Sequence, residues 1–109
     1  MSKYNNTKTQ VDMYVFDSAK EARRYKELAL LERAGEIQNL ELQPRFLLQE
    51  GFKKNNKKWR KLEYVADFKY IENGKTIVED VKGFETKEFK IKRKLFEYKY
   101  PDLELKIIK

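Results

Sequence analysis

The dipeptide Asn73-Gly74, set between two runs of alternating apolar residues, constrains the fold more than any other feature of the chain. Asn-Gly suits the two left-handed positions of a type I′ turn, whose twist matches that of the strands on either side. A two-residue loop also fixes register. Glu72 then faces Lys75, Tyr70 faces Ile77, Phe68 faces Glu79, and Asp67 faces Asp80. Directly opposed residues share a face of the sheet, with Cβ atoms roughly 4.5–5.5 Å apart. The turn therefore predicts two carboxylates side by side, in strands expected over residues 62–71 and 76–82. Like charges so placed repel unless something cationic lies between them. Lys82, two residues beyond Asp80, is expected on the same face. Asp67 also interrupts the apolar segment Val65-Ala66-Asp67-Phe68, where a lone Asp disfavours strand structure. Local rules of this kind are broken most often at functional sites.

The remaining punctuation supplies the other elements. A short strand is expected over 11–16, then a helix over 19–34 closed by Gly35. A strand over 40–48 has an edge or a bulge at Pro44. A basic hairpin over 51–61 turns at Asn55-Asn56. Thr86 caps a second helix running to about Tyr100, where Pro101 stops it, and a last strand covers 103–108. Residues 1–10 read as a flexible basic arm and 11–109 as a single domain, which suits a chain of 109 residues. The predicted class is α/β (mixed α+β), with a central mixed β-sheet of about four strands and helices on both sides.

Charge and missing residue types narrow the chemistry. A formal charge of +7 favours a polyanionic partner such as nucleic acid or an anionic membrane surface, though no basic amphipathic helix stands out for the latter. No apolar run is long enough to span a bilayer, nothing resembles a secretory leader, and no membrane partner is expected. The chain has no Cys, which fits a reducing cytoplasm, and no His, which removes imidazole acid–base pairs and Ser-His triads. Hydrolysis would have to run on carboxylates, Lys, Tyr or Ser, with a hard cation held by oxygen ligands. Asp67, Asp80 and Lys82 suit that task. Mg²⁺ needs only one or two carboxylates, and an ammonium beside them can orient or help deprotonate water, or stabilise charge at phosphorus.

Acid-x-Lys triplets carry little weight alone. Glu85-Thr86-Lys87, Glu88-Phe89-Lys90, Glu97-Tyr98-Lys99 and Glu104-Leu105-Lys106 share the form of Asp80-Val81-Lys82, and such pairs are usually solvated surface. The opposed Asp67 is what singles out the one triplet. Glu21 has two open readings. Ser18-Ala19-Lys20-Glu21 is a capping box in which Glu21 reaches back to the Ser18 backbone. It also lies on one helical stripe with Tyr25 and Leu28, aimed at the sheet. The basic hairpin can be plain solubilising surface, or Lys53, Lys54, Lys57, Lys58 and Arg60 offer phosphate contacts, with Trp59 and Phe52 interleaved to stack on bases or wedge into grooves. Lys90, Lys92, Arg93 and Lys94 form a second basic set around a stripe of Phe89, Leu95 and Phe96.

These motifs resemble those of the PD-(D/E)xK, or restriction-endonuclease-like, nucleases. The whole chain is similar to small phage and prophage proteins assigned to that superfamily. The likeness runs from Phe16-Asp17-Ser18 through Glu21, Leu42-Gln43-Pro44, Val65-Ala66-Asp67-Phe68 and Val78-Glu79-Asp80-Val81-Lys82-Gly83 to Tyr100-Pro101-Asp102. It implies that Glu21 is the helix-borne acid, Asp67 and Asp80 the motif acids, and Lys82 the motif lysine. Glu21, Asp67 and Asp80 would be the metal ligands, with Mg²⁺ or Mn²⁺ as cofactor and Gln43 as an auxiliary residue. Twelve residues separate Asp67 from Asp80, a spacing similar to that of archaeal Holliday junction resolvases. Ala66 stands where the motif has Pro, and Asp80 where Glu is more usual, which shortens that ligand by one methylene. The implied function is a metal-dependent DNA endonuclease in a bacterial host cytoplasm, acting on double-stranded or branched DNA. Its rivals are a Holliday junction resolvase with the same chemistry and a non-catalytic nucleic-acid-binding protein that keeps the fold. Symmetrical cleavage of two strands would call for a homodimer.

Overall fold

The computed structural model describes residues 8–109. Most of the expected N-terminal arm (residues 1–7) lies outside the described residues, and its last part is not an arm. Thr9–Val11 (β1) pairs antiparallel with Tyr14–Phe16 (β2), so the single strand expected over 11–16 is a hairpin. Asp12, at φ 56, makes the turn; Asp tolerates the left-handed region because its side chain can bond locally. Here it accepts a 2.9 Å hydrogen bond from the Tyr25 hydroxyl, which ties the hairpin to the helix that follows.

That helix, α1, spans Ala19–Arg33. The Ser18 hydroxyl accepts from the Glu21 amide (3.1 Å) at its start. At its end Gly35 takes φ 81, with Gly35 N–H donating to Glu32 O (3.0 Å) and Glu36 N–H to Leu31 O (2.9 Å), a Schellman closure. The second helix, α2, spans Lys87–Lys99 and is capped by Thr86.

Between and after the helices run β3 (Gln38–Leu42), β4 (Arg45–Gln49), β5 (Phe52–Lys54), β6 (Lys57–Trp59), β7 (Leu62–Val65), β8 (Phe68–Glu72), β9 (Lys75–Val81) and β10 (Glu104–Ile108). The central sheet has the order β10-β9-β8-β3, with β10 and β9 parallel and the other pairs antiparallel. Asn73 (φ 51) and Gly74 (φ 77) form the expected turn, and the ladder holds from Glu72–Lys75 to Phe68–Glu79. The mixed α/β class with two helices is present, but the described residues form ten strands in four sheets rather than one sheet of about four strands.

Alternation along β9 sets the layers. Ile77 joins a core with Ala22, Tyr25 and Leu28 of α1. Val78, its neighbour, joins another with Phe89 and Phe96 of α2. The helices therefore cover opposite faces of the sheet. Of the expected α2 stripe, Phe89 and Phe96 are buried but Leu95 is exposed.

The long strands expected over 40–48 and 62–71 are each broken, at Gln43-Pro44 and at Ala66-Asp67. Pro44 has no N–H to give a ladder, and Gln43 before it sits at φ 51. The two chains nevertheless stay side by side through the break. Gln43 N–H donates to Asp67 O (2.9 Å) and Ala66 N–H to Pro44 O (3.1 Å), in the same register as Leu42–Phe68 and Arg45–Val65. On one side of the bend Phe68 and Tyr70 pack with α1; on the other Phe46, Tyr64 and Ala66 pack with α2. The ribbon thus passes from one core to the other at Asp67.

Beyond β4 and β7 the ribbon shifts register between Leu47 and Gln49 and runs on as the β5–β6 arm. A Cβ on Gly51 would lie 3.0 Å from Trp59 O and 3.3 Å from Lys61 N, so the base of the arm requires glycine. Asn55 and Asn56, at φ 52 and 61, turn its tip.

Candidate active site

The bend determines how the acids meet. Asp67 is not paired with Asp80 in the ladder, as the turn register had required. Its amide is drawn instead to Glu79 O (3.0 Å), one residue short of Asp80, and the ladder ends at Phe68–Glu79. The bend repairs the convergence that the register lost. Asp67 Oδ2 accepts from Val81 N–H (2.7 Å), which turns the carboxyl across the end of β9. There it adjoins Asp80 and Glu21, with which it lines one cleft. Asp80 approaches from the α2 face of β9 and Glu21 from the N-terminus of α1. Asp67, at the crossing point, is the residue that can touch both.

Glu21 follows both of its sequence readings in part. Its amide completes the Ser18 half of a capping box. Its carboxyl is buried beside Asp17 and Asp67. Lys82 follows the end of β9, where its N–H donates to Ile108 O (2.9 Å). Its ammonium lies 3.5 Å from Asp80 Oδ1 and 4.6 Å from the centre of the Phe89 ring. The lysine thus lies between Asp80 and the Phe89 ring, at the edge of the acids. Glu21, Asp67, Asp80 and Lys82 all line one open cleft of about 640 Å³, bordered by Asp17, Lys20, Gly83 and Thr86.

Electrostatics at this spot are strained. Burial pushes Asp80 up to about 7, helped by the Asp67 charge and opposed by the Tyr64 hydroxyl and Lys82. Burial likewise pushes Asp67 up to about 6; the Val81 N–H opposes it and the Glu21 charge adds to it. Glu21 is raised as well, chiefly by burial, with Asp17 and Asp80 adding to the effect. Three adjoining carboxyls cannot all ionise cheaply, so protons or a cation must lie among them. Among the described residues no three metal-binding side chains form a ready-made cage. The donor chemistry still fits Mg²⁺ or Mn²⁺: Asp67 and Asp80 supply the one or two hard oxygens that such an ion needs, and the open cleft leaves room for water and phosphate.

Two groups escaped the sequence reading. Tyr64 donates its hydroxyl to Asp80 Oδ2 in the interior. The hairpin register would put Tyr64 on the far face; the bend brings it round, and nothing local signals that. Arg24 donates from Nε and Nη2 to the two oxygens of fully buried Glu79 (2.7 and 2.6 Å), and the Tyr70 hydroxyl donates to the same carboxylate. Glu79 thereby faces α1, away from Asp80, as alternation predicts. Gln43 lies directly across from Asp67, its N–H on the Asp67 carbonyl, and lines a smaller cleft of about 310 Å³ behind Glu21 and Asp67.

The nucleic-acid candidates lie elsewhere. Lys53, Lys54, Lys57, Lys58, Trp59 and Arg60 are all exposed on or beside the β5–β6 arm, and none lines the acidic cleft. Of the α2 set, Lys92 and Arg93 are engaged by Glu88 and Glu97 at 3.7 Å each.

A family model described as "Protein of unknown function (DUF1064)" matches residues 1–109. The chain belongs to the DUF1064 family. No curated protein matches it. In this DUF1064 chain no helix among the described residues is long and apolar enough to cross a membrane.

Proposed function

We propose that this chain is a metal-dependent DNA endonuclease of the PD-(D/E)xK type, and that its mixed sheet with a helix layer on each face is a restriction-endonuclease-like core. The observation that carries the reading is the meeting of Asp67, Asp80 and Glu21 under Lys82 in one open cleft. Asp67 and Asp80 would hold Mg²⁺ or Mn²⁺, with Glu21 as a further ligand. Such an ion, when bound, supplies Lewis acidity and lowers the pKa of its water. Tyr64 fixes one oxygen of Asp80, leaving the other toward Lys82 and the cleft. Lys82 holds positive charge where a phosphate oxygen or attacking water would sit. Gln43 fixes the backbone of Asp67 from the neighbouring strand. The arm lysines and Arg60 supply phosphate contacts. One such site cuts one strand, so symmetrical double-strand cleavage would need a C₂ pair. A cysteine-free chain of this kind suits the cytoplasm of a bacterial host.

The test is incubation of the purified chain with linear, branched and single-stranded DNA, in Mg²⁺ or Mn²⁺ and then in excess EDTA. Cleavage with metal that stops in EDTA, and is lost in folded Asp80→Ala, supports the reading. Preference for four-way junctions would make it a resolvase. A chain that binds DNA but never cuts with any metal would replace the enzyme by a binding module, which the exposed basic arm alone would favour.

A further inference from the structure

We propose that the β5–β6 arm is a stacking platform for unpaired bases, so that the preferred DNA carries a single-stranded segment beside a duplex. The inference deepens the nuclease reading by naming the class of DNA taken. It is tested without cleavage, so the two can fail separately.

Phe52 and Trp59 are paired across the arm. Each is 44 % exposed, their planes differ by 11°, and their centroids stand 5.9 Å apart. Neither belongs to either core cluster. Two large rings held parallel, each nearly half exposed, thus stand outside both cores. Alternation puts Lys54 and Lys57 on the same face as the rings, and Lys53 and Lys58 on the other. The Lys57 ammonium lies 4.2 Å from the centre of the Trp59 ring. That exposed cation–π contact is weak, whereas a base stacked on an aromatic ring is worth more. An incoming base can therefore displace Lys57, and the freed ammonium is then beside the phosphate of that same nucleotide. A blunt duplex offers phosphates to the lysines but no free base face to the rings.

The arm is also placed to act on the DNA that enters the cleft. Trp59 lies eight residues along the ribbon from Asp67, at most roughly 27 Å at strand rise. That is less than one turn of duplex, about 34 Å. Close packing at Gly51 fixes the base of the arm, and the Asn55-Asn56 turn fixes its tip.

Trp59 is the only tryptophan in the chain, so its fluorescence reports the platform directly. The full chain, in EDTA, is titrated with oligothymidylate, oligouridylate, a blunt duplex and a forked duplex with a single-stranded tail, while anisotropy of labelled DNA gives affinity. Saturable quenching by oligothymidylate and the fork, with little by the blunt duplex, is expected. Phe52→Leu and Trp59→Leu should each weaken fork binding by about tenfold and leave blunt-duplex binding unchanged. Blunt duplex bound as tightly as the fork, or variants that bind the fork like the parent, would overturn the proposal. Oligouridylate weaker than oligothymidylate supports DNA as the source of the bases; the reverse order overturns it.

Discussion

Replacing Asp80 with Asn should stabilise the metal-free protein at pH 8 and change it little at pH 4. Asp80 is 2 % exposed. Burial, with the Asp67 charge adding, raises its carboxyl from an ordinary 3.8 to about 7. Unfolded, it ionises near the ordinary value. Between those two values the folded state keeps a proton that the unfolded state has lost. Stability is thus fully present below about pH 4 and declines as pH rises through 7. At about 1.36 kcal/mol for each pH unit, that window is worth roughly 4 kcal/mol. Asn cannot ionise and so escapes the decline, while its carbonyl can still accept from Tyr64. Allowing for the partner that Lys82 loses, a gain of about 2–4 kcal/mol is expected at pH 8. For a domain of this size that raises Tm by the order of 10 °C. Urea unfolding of both proteins in EDTA at pH 4 and pH 8 measures it. Equal stability at pH 8, or an equal gain at both pH values, would refute the reasoning. If the nuclease reading holds, the stabilised variant is also inactive, since active sites commonly trade stability for chemistry.

Four other changes have expected outcomes. Folded Lys82→Ala and Asp67→Ala should lower single-turnover cleavage by about 10²-fold or more, while DNA affinity in EDTA stays within error of the parent. Neutralising Lys53, Lys54, Lys57 and Lys58 together should flatten the slope of log affinity against log salt by up to about 3–4, at roughly 0.9 per phosphate contact; an unchanged slope would shift the contacts to α2. Arg24→Met should cost about 3–5 kcal/mol in urea unfolding, because it leaves the Glu79 carboxylate buried without its cation, and adding Glu79→Gln should recover part of the loss.

Much of the fold was legible because it is set by local chemistry. Asn73-Gly74 and Asn55-Asn56 can each take two left-handed residues in succession, and Ser18, Thr86 and Gly35 close helix ends through their own backbone neighbours. Those signals placed both helices and two of the three hairpins; the β1–β2 turn at Asp12 was not among them. The break in the long strands was harder to see. It needs Gln43-Pro44 and Ala66-Asp67 to lie beside one another, a pairing of residues more than twenty apart in sequence. Pro44 hinted at it; nothing near Asp67 did, apart from the Asp itself in an apolar run. The bend in turn decided what the register could not. It offset Asp67 from Asp80, carried Tyr64 onto Asp80, and opened Asp67 to Glu21 from the other layer. Arg24 escaped for a similar reason, because its partner Glu79 lies 55 residues away on a strand whose inward face only the completed sheet defines.

The most direct measurement is anomalous scattering from crystals soaked in Mn²⁺. A site built by Asp67 and Asp80 predicts a peak in the cleft in contact with both carboxylates, beneath the Lys82 ammonium, that is absent from Asp80→Asn crystals. Saturating Mn²⁺ that leaves the cleft without a peak, or a peak that survives in Asp80→Asn, would contradict it.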